Sequence, residues 1–585
     1  MNTETKKCQN CSQEFIIEPE DFLFYEKIKV PPPTWCPECR MVRRFVFRQE
    51  RFLFRQKDII TGKEIFSGVP PQAPVKIYAH DYWWSDKWDS MEYGRDYDFS
   101  RPFFEQFREL MYAVPWPSKN EKNMVDSEYC DQAGQLKKCY LCFNCGDSEY
   151  SAYVKDAHQI KNSFDLTDVM RDELSYESRG VDDSYRVFFS IFCFECNDIW
   201  FSRDCLGCSN CFGCVNLRNK QYHIFNKPYA KVDYFEELKR LNLGSYKVVR
   251  ELKQRAEEFW SKFPNKFMHG VHNTNVSGET ISYSKNAKFC FSSEEIEDSK
   301  YCQDLSSVVR DSYDYTLWGE KCELMYEVLT SGDGCKNIKF SWDCWPADQD
   351  VEYSVKCASS TNLFGCVGLK KKSYCVFNKQ YSKKEYFSLR EKIIRHMNDM
   401  PYKDKTGRIY RYGEFFPPEF SPFAYNETIA NDFFPLTQDR AIKQGYEWRD
   451  PEKREYKVTV DAKDLPDHIR DVKDSMLKEI IGCMNCGKAW QIIPMELEFY
   501  KKMGLPLPRL CPDCRYFERT KYRNPPKIYH RKCQCAGAKS ESGTYRNTGK
   551  HLHESRHCPN GFETSYAPER RDIVYCGECY NAEAE

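Results

Sequence analysis

The strongest constraint in the sequence is a four-cysteine phrase that occurs twice. It reads Cys8-x2-Cys11-x24-Cys36-x2-Cys39 near one end and Cys483-x2-Cys486-x24-Cys511-x2-Cys514 near the other. The two stretches align without a gap. Asn10 meets Asn485, Phe24-Tyr25 meets Phe499-Tyr500, and Cys36-Pro37-x-Cys39-Arg40 meets Cys511-Pro512-x-Cys514-Arg515. Each two-residue spacing wraps one edge of a tetrahedron, and four thiolates close it with no open position, which suits structural zinc. Buried free thiols would have no reason to keep four positions in register across two copies.

A third cluster ends the chain: Cys533-x-Cys535, Cys558 and Cys576-x2-Cys579. An aromatic stands four residues after Cys11 and Cys486 (Phe15 and Trp490), and Phe562 stands in the same relation to Cys558. By that analogy Cys558 is the second ligand of a degenerate first pair, and Cys576 and Cys579 form the second pair. The missing ligand is Cys533, Cys535 or His553. Three zinc ions are therefore expected.

The modules resemble a family of short treble-clef or zinc-ribbon zinc-binding domains, through Cys483-x2-Cys486-Gly487, Glu498-Phe499-Tyr500 and Cys511-Pro512-x-Cys514-Arg515. The N-terminal copy has Ser12 in place of the glycine. The resemblance implies that the second cysteine pair opens a helix. Most of the chain also resembles a group of bacterial zinc-binding proteins without an assigned activity, through phrases such as Tyr93-Gly94-Arg95-Asp96-Tyr97 and Ser100-Arg101-Pro102-Phe103. That likeness implies the architecture and no reaction.

Between the modules a small polar residue followed by an aromatic recurs at intervals of nine to fifteen positions, as in Asn162-Ser163-Phe164, Asp183-Ser184-Tyr185 and Asp311-Ser312-Tyr313. Short strands with turn residues at this interval suggest a sandwich, barrel or β-solenoid, and the irregular phrase with small Cys and Ser beside each aromatic favours a solenoid. The region is duplicated: Phe225-Asn226-Lys227-x-Tyr229 returns as Phe377-Asn378-Lys379-x-Tyr381, and each copy then runs into a helical pattern. A motif at the end of each copy reads as a cap over the last coil. Cys205-x2-Cys208-x2-Cys211-x2-Cys214 is close to an iron–sulfur loop in spacing. In the second copy only Cys357 and Cys366 remain, beside Ser360 and Leu363, so these are read as small inward residues of a coil.

The expected fold is mainly β: a duplicated β-solenoid-like central region with short helical inserts, flanked by small treble-clef or zinc-ribbon modules. Its segments are an N-terminal zinc module with a basic helix (1–57), an aromatic-rich segment packed on the first coil (58–125), two solenoid copies with helical caps (126–265 and 266–400), a proline and aromatic strap (401–462), the second zinc module (463–531) and the C-terminal module (532–585). No apolar run is long enough for a membrane span, and the polar start carries no export signal, so a cytoplasmic protein with reduced thiols is expected.

Lys and Arg total 87 and Asp and Glu 88, but the charges are segregated. Arg40, Arg44, Arg48 and Arg51 fall within an arc of about 80° on a helix, opposite Val42, Val46 and Leu53. Arg515, Arg519 and Arg523 repeat the four-residue spacing, while residues 126–222 hold 16 acidic and 10 basic residues. Basic stripes beside zinc modules are an electrostatic footprint of nucleic-acid binding, so these seven arginines are candidates for gripping nucleic acid or a ribonucleoprotein. A protein-interaction scaffold and a carbohydrate-active solenoid enzyme are the alternatives. The sequence contains no phosphate loop, metalloprotease helix or nucleophile elbow, which favours a non-enzymatic protein.

Overall fold

In the computed structural model of the protein, residues 2–584 are described except 333, 337, 345, 346 and 451–455, the last of these within the strap. The fold is mainly β, with two solenoids in the centre and cysteine clusters towards both ends. Their coils pair in parallel, and the register fixes the coil length at twelve: Ala152 lies beside Phe164, Phe164 beside Tyr176 and Asn197 beside Ser209.

The building unit is a triplet. From Gln132 to Phe225 every third residue takes a positive φ, mostly non-glycine residues such as Phe189, Phe192, Glu195 and Asp198. Four such residues per coil turn the chain through four corners. The residue after each corner points inward, so Ser190, Cys193, Cys196 and Ile199 fill the cross-section of one coil and are buried. The left-handed conformation disfavours residues with a Cβ, and stacking on identical neighbours has to offset that cost.

The interior explains the small residues. The N–H of many inward residues has no backbone carbonyl to meet and points at the inward side chain one coil below. Ser190 N bonds Ser178 Oγ at 3.1 Å, Ser202 N bonds Ser190 Oγ at 3.0 Å and Cys214 N bonds Ser202 Oγ at 3.0 Å. Each serine in turn donates to a nearby carbonyl, as Ser190 Oγ does to Phe188 O at 2.8 Å. Ser and Cys are small enough to fit four to a layer and can accept that N–H. Eighteen cysteines, all buried, line the two solenoids. Cys205, Cys208, Cys211 and Cys214 are four successive inward residues of one coil, with thiols directed at backbone carbonyls.

In the second copy some coils are one residue longer: Glu297 lies beside Arg310, Arg310 beside Glu323, and Tyr326 beside Lys339. Paired positive-φ residues, Ser307-Val308 and Glu320-Lys321, mark the enlarged corner. Each copy closes on an asparagine that mimics one more coil. Asn226 accepts from Val215 N and donates to Val215 O, both at 2.9 Å, and Asn378 does the same to Val367 at 2.8 Å. Helices Lys231–Arg240 and Tyr246–Trp260 follow the first copy, and Lys383–Asp399 follows the second.

The solenoids lie side by side and antiparallel. Asn120, at the start of the first, bonds Asp343, late in the second, at 3.3 Å. Asp204, near the end of the first, bonds His269, at the start of the second, at 3.1 Å. One end of the molecule therefore holds the first coil of one copy and the last coils of the other. The aromatic segment covers that end. Its helix Phe103–Ala113 packs Phe103 on Phe364 and Phe377 of the second copy, so the expected packing on the first coil alone is corrected. The strap buries Phe416 against Trp342 and Tyr353 of the second copy, Phe415 against Phe47 and Phe420 against Phe104. The C-terminal module covers the other end, where strand Val574–Tyr575 pairs with Asn265–Lys266. No helix among the described residues is long and apolar enough to cross a membrane.

Candidate metal centres and their docking faces

In the first module the hairpin Glu4–Lys7 and Glu14–Ile17 holds Cys8 and Cys11 at its turn. Ser12 closes the turn at φ 62, and Gly487 takes φ 71 at the same place in the second module, so the serine adopts the conformation glycine favours. The second pair opens a helix in each: Cys36 precedes Pro37–Phe45 and Cys511 precedes Pro512–Thr520. The four thiols of Cys8, Cys11, Cys36 and Cys39 lie within 4.8 Å of one another, as do those of Cys483, Cys486, Cys511 and Cys514. Four thiolates about 2.3 Å from one ion stand about 3.8 Å apart. Cys11 and Cys36 stand at 3.8 Å, and Cys486 and Cys511 at 3.7 Å.

Donors around the sulfurs match in the two modules. Cys36 N bonds Cys8 Sγ and Cys511 N bonds Cys483 Sγ, both at 3.2 Å. The Asn10 amide reaches Cys39 Sγ at 3.1 Å and the Asn485 amide reaches Cys514 Sγ at 3.4 Å. Such donors favour the thiolate. Burial opposes the Cys483 charge, but the N–H groups of Cys486, Cys511 and Asn485 outweigh it and bring the thiol down to about 7.

The C-terminal cluster is the same hairpin and helix with a long insertion. Cys533 follows strand Tyr529–Lys532 as Cys8 follows Lys7, and Cys558 lies three residues before strand Gly561–Thr564 as Cys11 lies before Glu14. Cys576 N bonds Cys533 Sγ at 3.2 Å, and helix Gly577–Ala584 follows. Cys533, Cys558, Cys576 and Cys579 form one four-thiol group. Cys535 does not join it. It meets His551, His553 and Cys579 in a second group, so the described residues hold four candidate metal groups where three were expected. The two-residue turn of the first module is here the loop 534–557, which supplies Cys535, His551 and His553. The His-x-His spacing was the available signal, and the irregular cysteine spacing obscured it.

The arginines stand elsewhere than expected. Arg40, Arg43 and Arg44 are at most 1% exposed, and Arg48, Arg515 and Arg519 are also buried. Their helices turn the arginine side toward a solenoid. Asp314 of the second copy receives Arg40 Nε at 2.9 Å and Arg44 Nη1 at 3.0 Å, and Thr316 Oγ1 receives Arg44 Nε at 2.9 Å. The second module repeats the clamp on the first copy. Asp165 accepts from Arg519 Nη1 at 2.8 Å and forms an ion pair with Arg515 Nη1 at 2.7 Å, and Thr167 Oγ1 receives Arg519 Nε at 3.3 Å. Aromatics repeat as well: Phe24 stacks on Tyr313 at 4.0 Å, and Phe499 meets Phe164 at 4.5 Å. Each module thus docks on the solenoid farther from it in sequence.

The other three expected phosphate ligands are also engaged within the chain. Arg48 sits between the solenoids, paired with Glu50 at 2.7 Å and bonded to Gln132 and Thr330. Arg51 bonds Asp432 at 3.0 Å and lies over Phe52, Tyr516 and Phe517. Arg523 lies 4.0 Å from the Phe433 ring centre. The outward basic stripe is therefore corrected: a buried guanidinium needs a carboxylate, and the acidic body supplies it. Burial works against the Arg40 charge, yet Asp314 holds it well above its ordinary range. Asp165 and Asp314 were missed, although Ser163-Phe164-Asp165-x-Thr167 and Ser312-Tyr313-Asp314-x-Thr316 repeat the phrase that carries them.

The chain matches no protein-family model and none of the curated proteins.

Proposed function

We propose that the chain is a non-enzymatic scaffold, clamped by zinc, whose paired solenoids offer a polar face to a protein partner. The duplicated Arg–Asp clamp carries this reading, because the cations that suggested nucleic acid are engaged inside the molecule. The open side of the solenoids supports it. One column runs Lys137, Glu149, Lys161, Glu173, and its counterpart in the second copy runs Lys285, Glu297, Arg310, Glu323, Lys336. Neighbours of opposite sign pair along it, as Arg310 does with Glu297 at 3.2 Å. Such a surface has little net attraction for phosphate and suits a protein of complementary charge pattern. Zinc is the proposed ion because closed four-thiolate tetrahedra suit it.

The test is purification of tagged chain from its own cells at low salt, followed by amine cross-linking and peptide mapping. A protein partner cross-linked to Lys161, Lys285 or Lys336, with protein-like absorbance at 260 and 280 nm, is expected. A nucleic-acid-rich eluate that dissociates at high salt would instead establish the ribonucleoprotein reading. Cleavage of a polysaccharide by the pure chain would establish the enzymatic one.

A further inference from the structure

The C-terminal module holds more ligand atoms than one ion can use. Cys533, Cys558 and Cys576 serve one group, Cys535, His551 and His553 serve another, and Cys579 belongs to both. We propose that this module binds two zinc ions bridged by the Cys579 thiolate, the second held by Cys535, His551 and His553.

The distances fit. With zinc about 2.3 Å from sulfur and about 2.0 Å from nitrogen, tetrahedral S and N ligands stand about 3.5 Å apart. Cys535 Sγ and His551 Nδ1 stand at 3.6 Å, and Cys579 Sγ and His553 Nε2 at 3.2 Å.

The outer contacts set each imidazole for this role. His551 Nε2 lies 2.7 Å from Glu583 Oε1, so it carries the proton and leaves Nδ1 with a free lone pair toward the group. His553 is set the opposite way: its Nδ1 donates to Arg556 O at 2.7 Å and Nε2 is left free. The two rings thus adopt opposite tautomers, each with its free nitrogen in the same four-atom group, as second contacts arrange them in zinc sites. Glu583 is itself fixed by Thr548 N at 2.8 Å, Gly549 N at 3.1 Å and Tyr545 Oη at 2.8 Å. The Asn547 amide reaches Cys535 Sγ at 3.0 Å, a donor of the kind Asn10 gives Cys39.

Charge agrees as well. Five thiolates and two neutral imidazoles around two divalent ions leave about one negative charge, less than the two that remain when four thiolates close on one ion. Four protein ligands leave no open position, so the second ion is structural. It pins both ends of the loop 534–557 to the helix Gly577–Ala584.

This inference rests on the zinc reading of the three four-cysteine groups, and the test separates the two. Full-length protein produced with zinc is expected to contain four equivalents by metal analysis. The His551→Ala, His553→Ala double variant is expected to contain three. In parallel, the intact chain loaded with 113Cd is expected to give four resonances, two of them coupled to each other through the shared sulfur; this readout needs no variant. Three equivalents with no coupled pair, or four equivalents that persist in the double variant, would overturn the bridged centre and leave the zinc reading standing. Fewer than three equivalents would overturn both.

Discussion

Replacing Asp165 with Ala removes the carboxylate that two guanidiniums of the second module share. Asp165 is fully buried, and Arg515 and Arg519 are nearly so. Arg515 keeps Glu496 at 2.9 Å, so one cation stays partly paired, while Arg519 keeps only neutral acceptors. Breaking one partner of a buried pair costs roughly 3–5 kcal/mol, because the remaining charge is stranded out of water. Most of that loss is expected at the docking face, since the metal ligands are untouched. Undocking made easier by that amount corresponds to amide exchange roughly 10²–10⁴-fold faster. The assay is hydrogen exchange with mass-spectrometric readout on Pro512–Thr520 and on strand Phe164–Glu173, together with metal analysis. Faster exchange in both segments at unchanged metal content is expected, and Asp314→Ala is expected to do the same to Pro37–Phe45. A loss below about 1 kcal/mol, the size of an exposed ion pair, would refute the clamp.

Asp172 occupies an inward solenoid position, and burial lifts its carboxyl from an ordinary 3.8 up to about 8. The folded state then holds a proton the unfolded chain releases, so this group destabilises progressively from pH 4 to 8; Asp172→Val should gain about 3 kcal/mol more at pH 7.5 than at pH 5 in urea titrations. Burial lowers His269, but Glu279 and Asp204 outweigh it and raise the imidazole to about 9. Its contribution is full below pH 6.5 and lost as pH rises through 9, so the stability gap between parent and His269→Gln should shrink by about 3 kcal/mol across that window. Asn378→Ala strands the N–H and C=O of Val367 at the end of the second copy and should cost about 2–4 kcal/mol in the same titration.

The duplications were legible because ligand spacing and cap phrases survive as residue identities. The caps at Asn226 and Asn378 were legible for that reason, and so was the inward reading of Cys205 to Cys214. The triplet itself shows only where cysteines fill successive inward positions, in Cys139 to Cys145, Cys193 to Cys196 and Cys205 to Cys214. Its inward position accepts Ser, Cys, Val, Ile and Leu alike, and its left-handed position accepts Phe, Tyr and Asp, so neither leaves a signature in any one coil. Stacking on the coils above and below, rather than local propensity, sets the conformation there. The charge segregation was also legible, but its meaning was not. Whether Arg44 meets phosphate or Asp314 depends on a contact 270 residues away. A basic module and an acidic body look the same in sequence whether the two repel a ligand together or neutralise each other.

The inward turn of the arginines is open to direct measurement by labelling the native protein with an arginine-selective dicarbonyl and reading each site by mass spectrometry. Arg240 and Arg470 expose 69% and 75% of their side chains and provide the reference for solvent-exposed guanidiniums. Arg40, Arg44, Arg515 and Arg519 are expected to label at least about tenfold more slowly, as docking by even the lower end of a buried pair's worth requires. Labelling of Arg44 and Arg519 at the rate of Arg470 would place both helices at the surface, undo the clamp and return the basic stripes to a nucleic-acid partner.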